Sequence, residues 1–119
     1  MSKRESRLVI HQDGEITRIS FLDRNILEEA GIQQIGDEIG QIIETSGFPK
    51  LLIDFSNVEH LSSAALGTLI TINNKVRQKG GQLRLSNINT QIYEVFVITK
   101  LNKLFQIHDT AVTAVQSFK

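Results

Sequence analysis

The sequence predicts an α/β fold, with a mixed sheet of four to five strands, about four flanking helices and the element order β-β-α-β-α-β-α-β-α. Three observations lead to this prediction. Asp13-Gly14 lies between two short apolar runs, which is typical of a tight hairpin. Leu51-Leu52-Ile53 is a continuous apolar run of strand length, as expected of a strand covered on both faces. Beyond it, strand-like and helix-like segments alternate, which predicts parallel pairing through right-handed crossovers.

The first half of the chain contains the hairpin and one helix. Residues 8–11 and 15–22 are its two strands, and Gly14 tolerates the positive φ that the turn requires. From position 26 to 45, isoleucines recur at steps of three and four, which places them on one helical face. They are Ile32, Ile35, Ile39, Ile42 and Ile43. A bend is expected near Gly31 because glycine weakens a helix.

Strands and helices alternate through the second half. The predicted strands are residues 50–56, 82–88 and 105–108. The predicted helices are residues 63–79, residues 90 to about 101, and a last helix capped by Asp109 that runs to position 118. Gly80-Gly81 ends the first of these helices, because glycine accepts the left-handed closing conformation. Within the strand at 82–88, Leu83 and Leu85 are expected to point inward and Arg84 outward.

Composition excludes several classes of protein. The 119 residues are 40% hydrophobic and 22% charged, which is typical of a folded chain and fits a single domain over residues 1–119. Its 13 basic and 13 acidic residues leave no positive excess of the kind that nucleic-acid binders use. We find no signal core, no polybasic run and no stretch of membrane-spanning length. We therefore expect a cytoplasmic protein, with no nucleic-acid partner and no direct membrane insertion.

Residues that could carry catalysis or bind a metal are sparse. The chain has no cysteine, and its three histidines, His11, His60 and His108, lack metal-ligand spacing. No glycine-rich phosphate loop is present. Asp54, His60 and Ser63 could form a hydrolase triad, but no nucleophile elbow surrounds the serine. The sequence therefore predicts no metal, no cofactor and no enzymatic activity.

The most specific feature is the segment from position 52 to 67. It reads Leu52-Ile53-Asp54-Phe55-Ser56-Asn57-Val58-Glu59-His60-Leu61-Ser62-Ser63-Ala64-Ala65-Leu66-Gly67. This resembles the signature of STAS domains (sulfate transporter and anti-sigma factor antagonist). In that family a buried strand ending in Asp leads through a short loop to Asp-Ser-Ser/Thr-Gly-Leu-Gly at a helix start. The predicted element order is also similar to the family's over essentially the whole chain.

The resemblance implies an anti-sigma factor antagonist, a module that binds an anti-sigma factor with serine kinase activity and is opposed by a serine phosphatase. Aligned on the Leu-Gly pair, Ser63 takes the place of the phosphorylated serine. Ser62 stands where the family has Asp and is the alternative acceptor, and Ala64-Ala65 replace Ser/Thr-Gly. The implied partner-binding residues are Asp54, Ser62, Ser63, Ala64, Leu66 and Gly67.

The same segment can be interpreted without the family. A loop at the carboxyl end of a central parallel strand is where open α/β sheets present functional groups, and a helix start favours an anion. Serine is also a good N-cap, which contributes about 1 kcal/mol, and capping is the interpretation we favour for Ser62. Asp54 is expected to accept backbone N–H groups of the loop.

Three functions stay open at this point. The first is the phosphorylation-switched antagonist. The second is a STAS subunit of a transport or multiprotein signalling assembly, which uses the same surface without phosphorylation. The third is a small α/β enzyme that uses Asp54, His60 and Ser63. The oligomeric state is open too, since the helix at 92–98 carries more apolar residues than one buried side needs and could contact a partner or a second copy.

Overall fold

A computed structural model describes residues 7–118. The strands are β1 (Leu8–Asp13), β2 (Ile16–Phe21), β3 (Asn25–Ile26), β4 (Lys50–Asp54), β5 (His60–Leu61), β6 (Gln82–Ser86) and β7 (Gln106–His108). The helices are α1 (Glu29–Thr45), α2 (Ser63–Gln78), α3 (Thr90–Ile98) and α4 (Ala111–Gln116), with one 3-10 turn at Leu101–Lys103.

Five strands form a mixed sheet in the order β1-β2-β4-β6-β7. β1 and β2 pair antiparallel through the predicted hairpin, whose Gly14 has a φ of 61°, and the other neighbours are parallel. β4 lies in the centre, and its residues Leu51, Leu52 and Ile53 are completely buried. The predicted fold class and the central position of the apolar run are both confirmed.

Helices cover the two faces of the sheet unequally. On one face, Leu51 and Ile53 join a large apolar core with residues of α1, α2 and α3. On the other face, Leu52 packs in a much smaller cluster with two alanines of α4, Ala111 and Ala114. The larger core therefore lies between the sheet and the first three helices.

Arg84 points away from the larger core, as predicted, but it is not exposed. Its side chain is buried on the α4 face of the sheet. There its Nε donates to the Ser117 hydroxyl at 2.9 Å, and its guanidinium lies over the Phe118 ring, 5.0 Å from the centroid. The outward side of β6 is buried here because α4 and the residues after it cover this part of the sheet.

The structure contains two short strands that the sequence pattern does not reveal. β3 and β5 pair in parallel, with Asn25 opposite His60 and Ile26 opposite Leu61. Ile26 belongs to β3, so α1 begins at Glu29 and not at position 26. This small sheet connects the segment after β2 to the segment before α2, and it helps to position the candidate site.

Other predicted boundaries need small corrections. α1 continues through Gly31, which lies in its first turn beneath the Arg7 guanidinium. The N-cap of α4 is Thr110 and not Asp109, because the Thr110 hydroxyl accepts the Thr113 N–H at 3.2 Å. Within residues 7–118, no helix combines the length and the apolar character needed to cross a bilayer.

Candidate partner-binding site

The β4–α2 connection, residues 55–62, is held on one side by the segment that follows β2. The N–H groups of Glu59 and His60 donate to the Arg24 carbonyl at 2.7 and 3.2 Å. The N–H of Ser62 donates to the Ile26 carbonyl at 3.1 Å. These bonds fix the residues immediately before α2, and thereby the direction in which the helix starts.

Two asparagines hold the same connection with side-chain amides. Asn57 donates to the carbonyls of Phe21 and Leu22 at 3.1 and 3.0 Å. Asn89 donates to the carbonyls of residues 58 and 59 at 3.3 and 3.1 Å, while its own Oδ1 accepts the Ile92 N–H at 2.8 Å and caps α3. The start of α2 is therefore tied both to the end of β2 and to the start of α3.

Asp54 lies at the end of β4 and is only 4% exposed. Its carboxylate accepts hydrogen bonds from Asn87 Nδ2 at 2.9 Å, Arg18 Nη2 at 3.1 Å, and the N–H and hydroxyl of Ser56 at 3.1 and 3.2 Å. Burial by itself would raise the pKa of Asp54, but the bonds from Asn87, Arg18 and the Ser56 N–H outweigh it and lower the pKa. The prediction that Asp54 accepts a backbone N–H of the loop is confirmed.

Asn87 is an unusual residue in this network. Its φ of 57° is left-handed, a conformation that asparagine adopts more readily than most residues. From this position it reaches the Asp54 carboxylate, and its N–H donates to the His108 carbonyl at 3.3 Å. Sequence reasoning missed both Asn87 and Arg18. An asparagine directly after a strand, and an arginine inside one, were the signals available.

The two serines at the start of α2 have different surroundings. Ser62 is the N-cap, with its half-buried hydroxyl accepting the Ala65 N–H at 3.3 Å, which confirms the capping role. Ser63 is the first helical residue, and it is exposed. Among the described residues, the backbone N–H groups of Ser63 and Ala64 meet no acceptor. The exposed hydroxyl therefore stands beside two N–H groups that are free to bind an anion.

The remaining predicted site residues divide into exposed and buried ones. Ala64 and Gly67 are exposed and form a strip of small residues with Ser63 on one side of α2. A Cβ at Gly67 would meet no atom within 4 Å, so no residue between positions 7 and 118 covers the strip at this point. Leu66, on α2, and Asp54, at the end of β4, are both buried. Contact with a partner stays a prediction for all six residues named in the sequence analysis.

The arrangement does not assemble a hydrolase triad. Asp54 bonds to Arg18, Asn87 and Ser56, and no hydrogen bond joins its carboxylate to His60. His60 is itself exposed, on β5. In the part of the chain that the structure describes, no group of three or more His, Asp or Glu side chains is placed to hold a metal ion.

Comparisons with known proteins identify a family that this sequence matches. The model of the STAS domain family matches residues 2–114. A Thermotoga neapolitana protein is 33% identical over 70 residues, or 59% of this chain and 62% of its own length. A Thermotoga maritima protein is 27% identical over 73 residues, which are 61% of this chain and 65% of its own length. Both carry the name of an anti-sigma factor antagonist. The match spans less than two thirds of the length of each relative.

Solved structures share the fold. A STAS domain protein from Planctomyces limnophilus, described as an anti-sigma-factor antagonist, superposes with a TM-score of 0.84 at 19% identity, over 92% of this chain and 96% of the other. Phosphorylated SpoIIAA from Bacillus superposes with a TM-score of 0.70 at 15% identity, over 92% of this chain and 96% of the other. The murine anion transporter Slc26a9 gives 0.74 at 14% identity, over 89% of this chain and 18% of the transporter. The family model matches nearly the whole chain, and the five-stranded sheet agrees with it. The chain therefore belongs to the STAS domain family.

Proposed function

We propose that this chain is an anti-sigma factor antagonist that sequesters an anti-sigma factor with serine kinase activity while Ser63 is unmodified. Phosphorylation of Ser63 releases the partner, and a serine phosphatase restores binding. The names of the two Thermotoga relatives support this function. The single observation that carries it is the exposed Ser63 hydroxyl at the first position of α2, above a well-anchored connection.

The geometry favours Ser63 over Ser62 as the acceptor. The Ser62 hydroxyl is half-buried and already accepts the Ala65 N–H as the cap of α2, so it is less accessible to a kinase. Ser63 forms no such bond and is open to solvent. A phosphate there adds a charge of roughly −1.5 to −2. The free N–H groups and the positive end of the helix dipole stabilise that charge.

Under this proposal, phosphorylation releases the partner without unfolding the protein. Ser63, Ala64 and Gly67 are small, so a partner surface can pack closely against α2. A dianion on Ser63 would occupy that contact and would have to lose its water there. The connection before it is held by backbone bonds to Arg24 and Ile26, which do not involve Ser63. The loss of binding therefore comes from charge and bulk at the surface.

The test is direct capture and modification of the partner. Wild-type protein is the bait in an extract of the source organism, with Ser63→Glu protein as the matched control. The captured partner is purified and incubated with wild-type protein and ATP, and mass spectrometry locates the phosphate. We expect one phosphate, on Ser63, and none on Ser63→Ala protein. A phosphate on Ser62 alone would contradict the assignment.

A second candidate function is supported by the change from the family's Asp to Ser62. Without that carboxylate beside the acceptor, the same surface could bind its partner without being switched by phosphorylation, as a subunit of a transport or multiprotein signalling assembly. The murine transporter contains a region with this fold. This candidate predicts that the captured partner transfers no phosphate, and that it binds wild-type and Ser63→Glu protein equally.

A further inference from the structure

α1 and α2 enclose an open groove of about 350 Å³. The helices approach closely along its floor, where a Cβ on Gly36 would lie 3.1 Å from the Thr68 methyl group. Ile32 and Ile72 are the apolar residues of this floor. The other lining residues are Glu29, Gln33, Asp37, Ala64, Thr71 and Lys75. The groove is therefore apolar at its base and polar along its rim.

The rim is acidic on the α1 side. α1 carries four acidic residues and no basic one, and Glu29 and Asp37 are those that line the groove. Both side chains are exposed, and neither forms an ion pair within residues 7–118. The chain as a whole has a formal net charge of zero, so this is a local concentration of negative charge. A cationic segment would complement it.

The groove is continuous with the surface assigned to the partner above. Ala64 lines the end of the groove near the start of α2 and is also part of the exposed strip beside Ser63. A partner seated on that strip can extend along the groove without crossing another element. Lys75 lies at the opposite end, so the rim changes sign along its length.

We propose that the α1–α2 groove docks an amphipathic helical segment of the protein partner that carries two Lys or Arg side chains two turns apart. Glu29 and Asp37 are eight residues apart on α1, which corresponds to about 12 Å. Cationic residues at positions i and i+7 of a docked helix are about 10.5 Å apart. Aliphatic residues at i+3 and i+4 face the floor at Ile32 and Ile72. This inference rests on the proposed function for a protein partner, but not on phosphorylation.

A synthetic peptide tests the groove without knowledge of the partner. The probe has about four helical turns, with lysine at i and i+7 and leucine at i+3 and i+4, in an alanine and glutamine background. Its isomer has the same composition, but the lysines lie on the opposite face. On titration into ¹⁵N-labelled protein, we expect amide shifts at positions 29–37 and 64–75, and affinity about tenfold lower for the isomer.

Charge-removing variants identify the contact. Glu29→Gln/Asp37→Asn should weaken the probe about tenfold and reduce the salt dependence of its binding. Glu44→Gln/Glu94→Gln removes the same charge from exposed positions outside the groove and should leave affinity unchanged. Thr71→Arg places a cation in the groove and should block binding, whereas Asn74→Arg, on an exposed part of α2 outside the lining, should not.

Several results would overturn the proposal. They are shifts centred outside the groove, equal affinity for the isomer, no effect of Glu29→Gln/Asp37→Asn, or no shift up to about 1 mM peptide. Groove shifts that appear when the protein alone is concentrated would assign the groove to a second copy. With the captured partner, loss of binding by Ser63→Glu but not by Glu29→Gln/Asp37→Asn rejects only the groove. The reverse result rejects only the serine switch.

Discussion

The two faces of β4 show how this small domain separates stability from the presentation of a site. On one face, Leu51 and Ile53 pack into the core formed with three helices. On the other, Leu52 contacts a few residues of α4, and Asp54 binds Arg18 with other polar groups at the carboxyl edge of the sheet. The apolar face buries many more hydrophobic side chains and so contributes most of the hydrophobic stabilisation. The polar end of the opposite face holds the connection that leads to Ser63.

The largest expected effect is on the apolar face. Ile53→Ala should lower the free energy of unfolding by about 2–5 kcal/mol, because it leaves a cavity at a fully buried position. Ile98→Ala is the matched control, since Ile98 is 79% exposed on α3, and it should change stability by less than about 0.5 kcal/mol. Denaturant unfolding measures both. Similar losses of unfolding free energy in the two variants would contradict the expected difference between core and surface positions.

A smaller loss is expected at the polar end. Asp54→Ala should cost about 1–3 kcal/mol, because Asn87, Arg18 and the Ser56 N–H lose their acceptor. Hydrogen exchange should also accelerate in the β4–α2 connection more than in the centre of the sheet. Asp109→Ala, at an exposed position, is the control. Uniform acceleration across the sheet would mean that Asp54 supports the whole fold and not the connection.

The Asp54 network also predicts a pH dependence. The folded state lowers the pKa of Asp54 below its ordinary value of 3.8, so the unfolded state binds more protons as the carboxyl titrates. The stabilisation is present above the unfolded pKa and is lost as the pH falls through the folded pKa. Between about pH 5 and pH 2, wild-type protein should lose stability more steeply than Asp54→Asn. If stability falls with pH equally in wild-type protein and in Asp54→Asn, the negative charge of Asp54 does not contribute to the stability of the network.

The smallest difference is expected between the two serines. Ser62→Ala should lower the unfolding free energy by about 1 kcal/mol because the Ala65 N–H loses its cap. Ser63→Ala should change it by less than about 0.5 kcal/mol, since the Ser63 hydroxyl is exposed and caps nothing. Thermal melts of the two proteins, compared with wild type, check this order. If Ser63→Ala lost more stability than Ser62→Ala, Ser63 would be the cap, and the phosphate acceptor would have to be reassigned to Ser62.

Features encoded locally were predictable from the sequence. The apolar run of β4, the Asp13-Gly14 turn and the cap at Ser62 each depend on residues that are adjacent or one turn apart. The bond from the Ser56 N–H to Asp54 spans two residues, and it was predicted as well.

Features that depend on distant parts of the chain were not predictable in this way. Arg18 and Asn87 are 36 and 33 positions from Asp54, and nothing in their own segments indicates that they converge on one carboxylate. β3 and β5 have two residues each, too few for a strand to show its alternation. Arg84 is polar and looks like a surface residue until α4 is folded over it.

The central claim is that modification of Ser63 controls binding and not folding, and one pair of measurements on the same proteins tests it. Thermal melts and calorimetric titration with the captured partner are compared for wild type, Ser63→Glu and Ser62→Glu. We expect Ser63→Glu to melt close to wild type and to bind at least about thirtyfold more weakly, because a carboxylate is buried unpaired at the interface. Equal affinity of wild type and Ser63→Glu, or a loss of binding that follows unfolding, would contradict the claim.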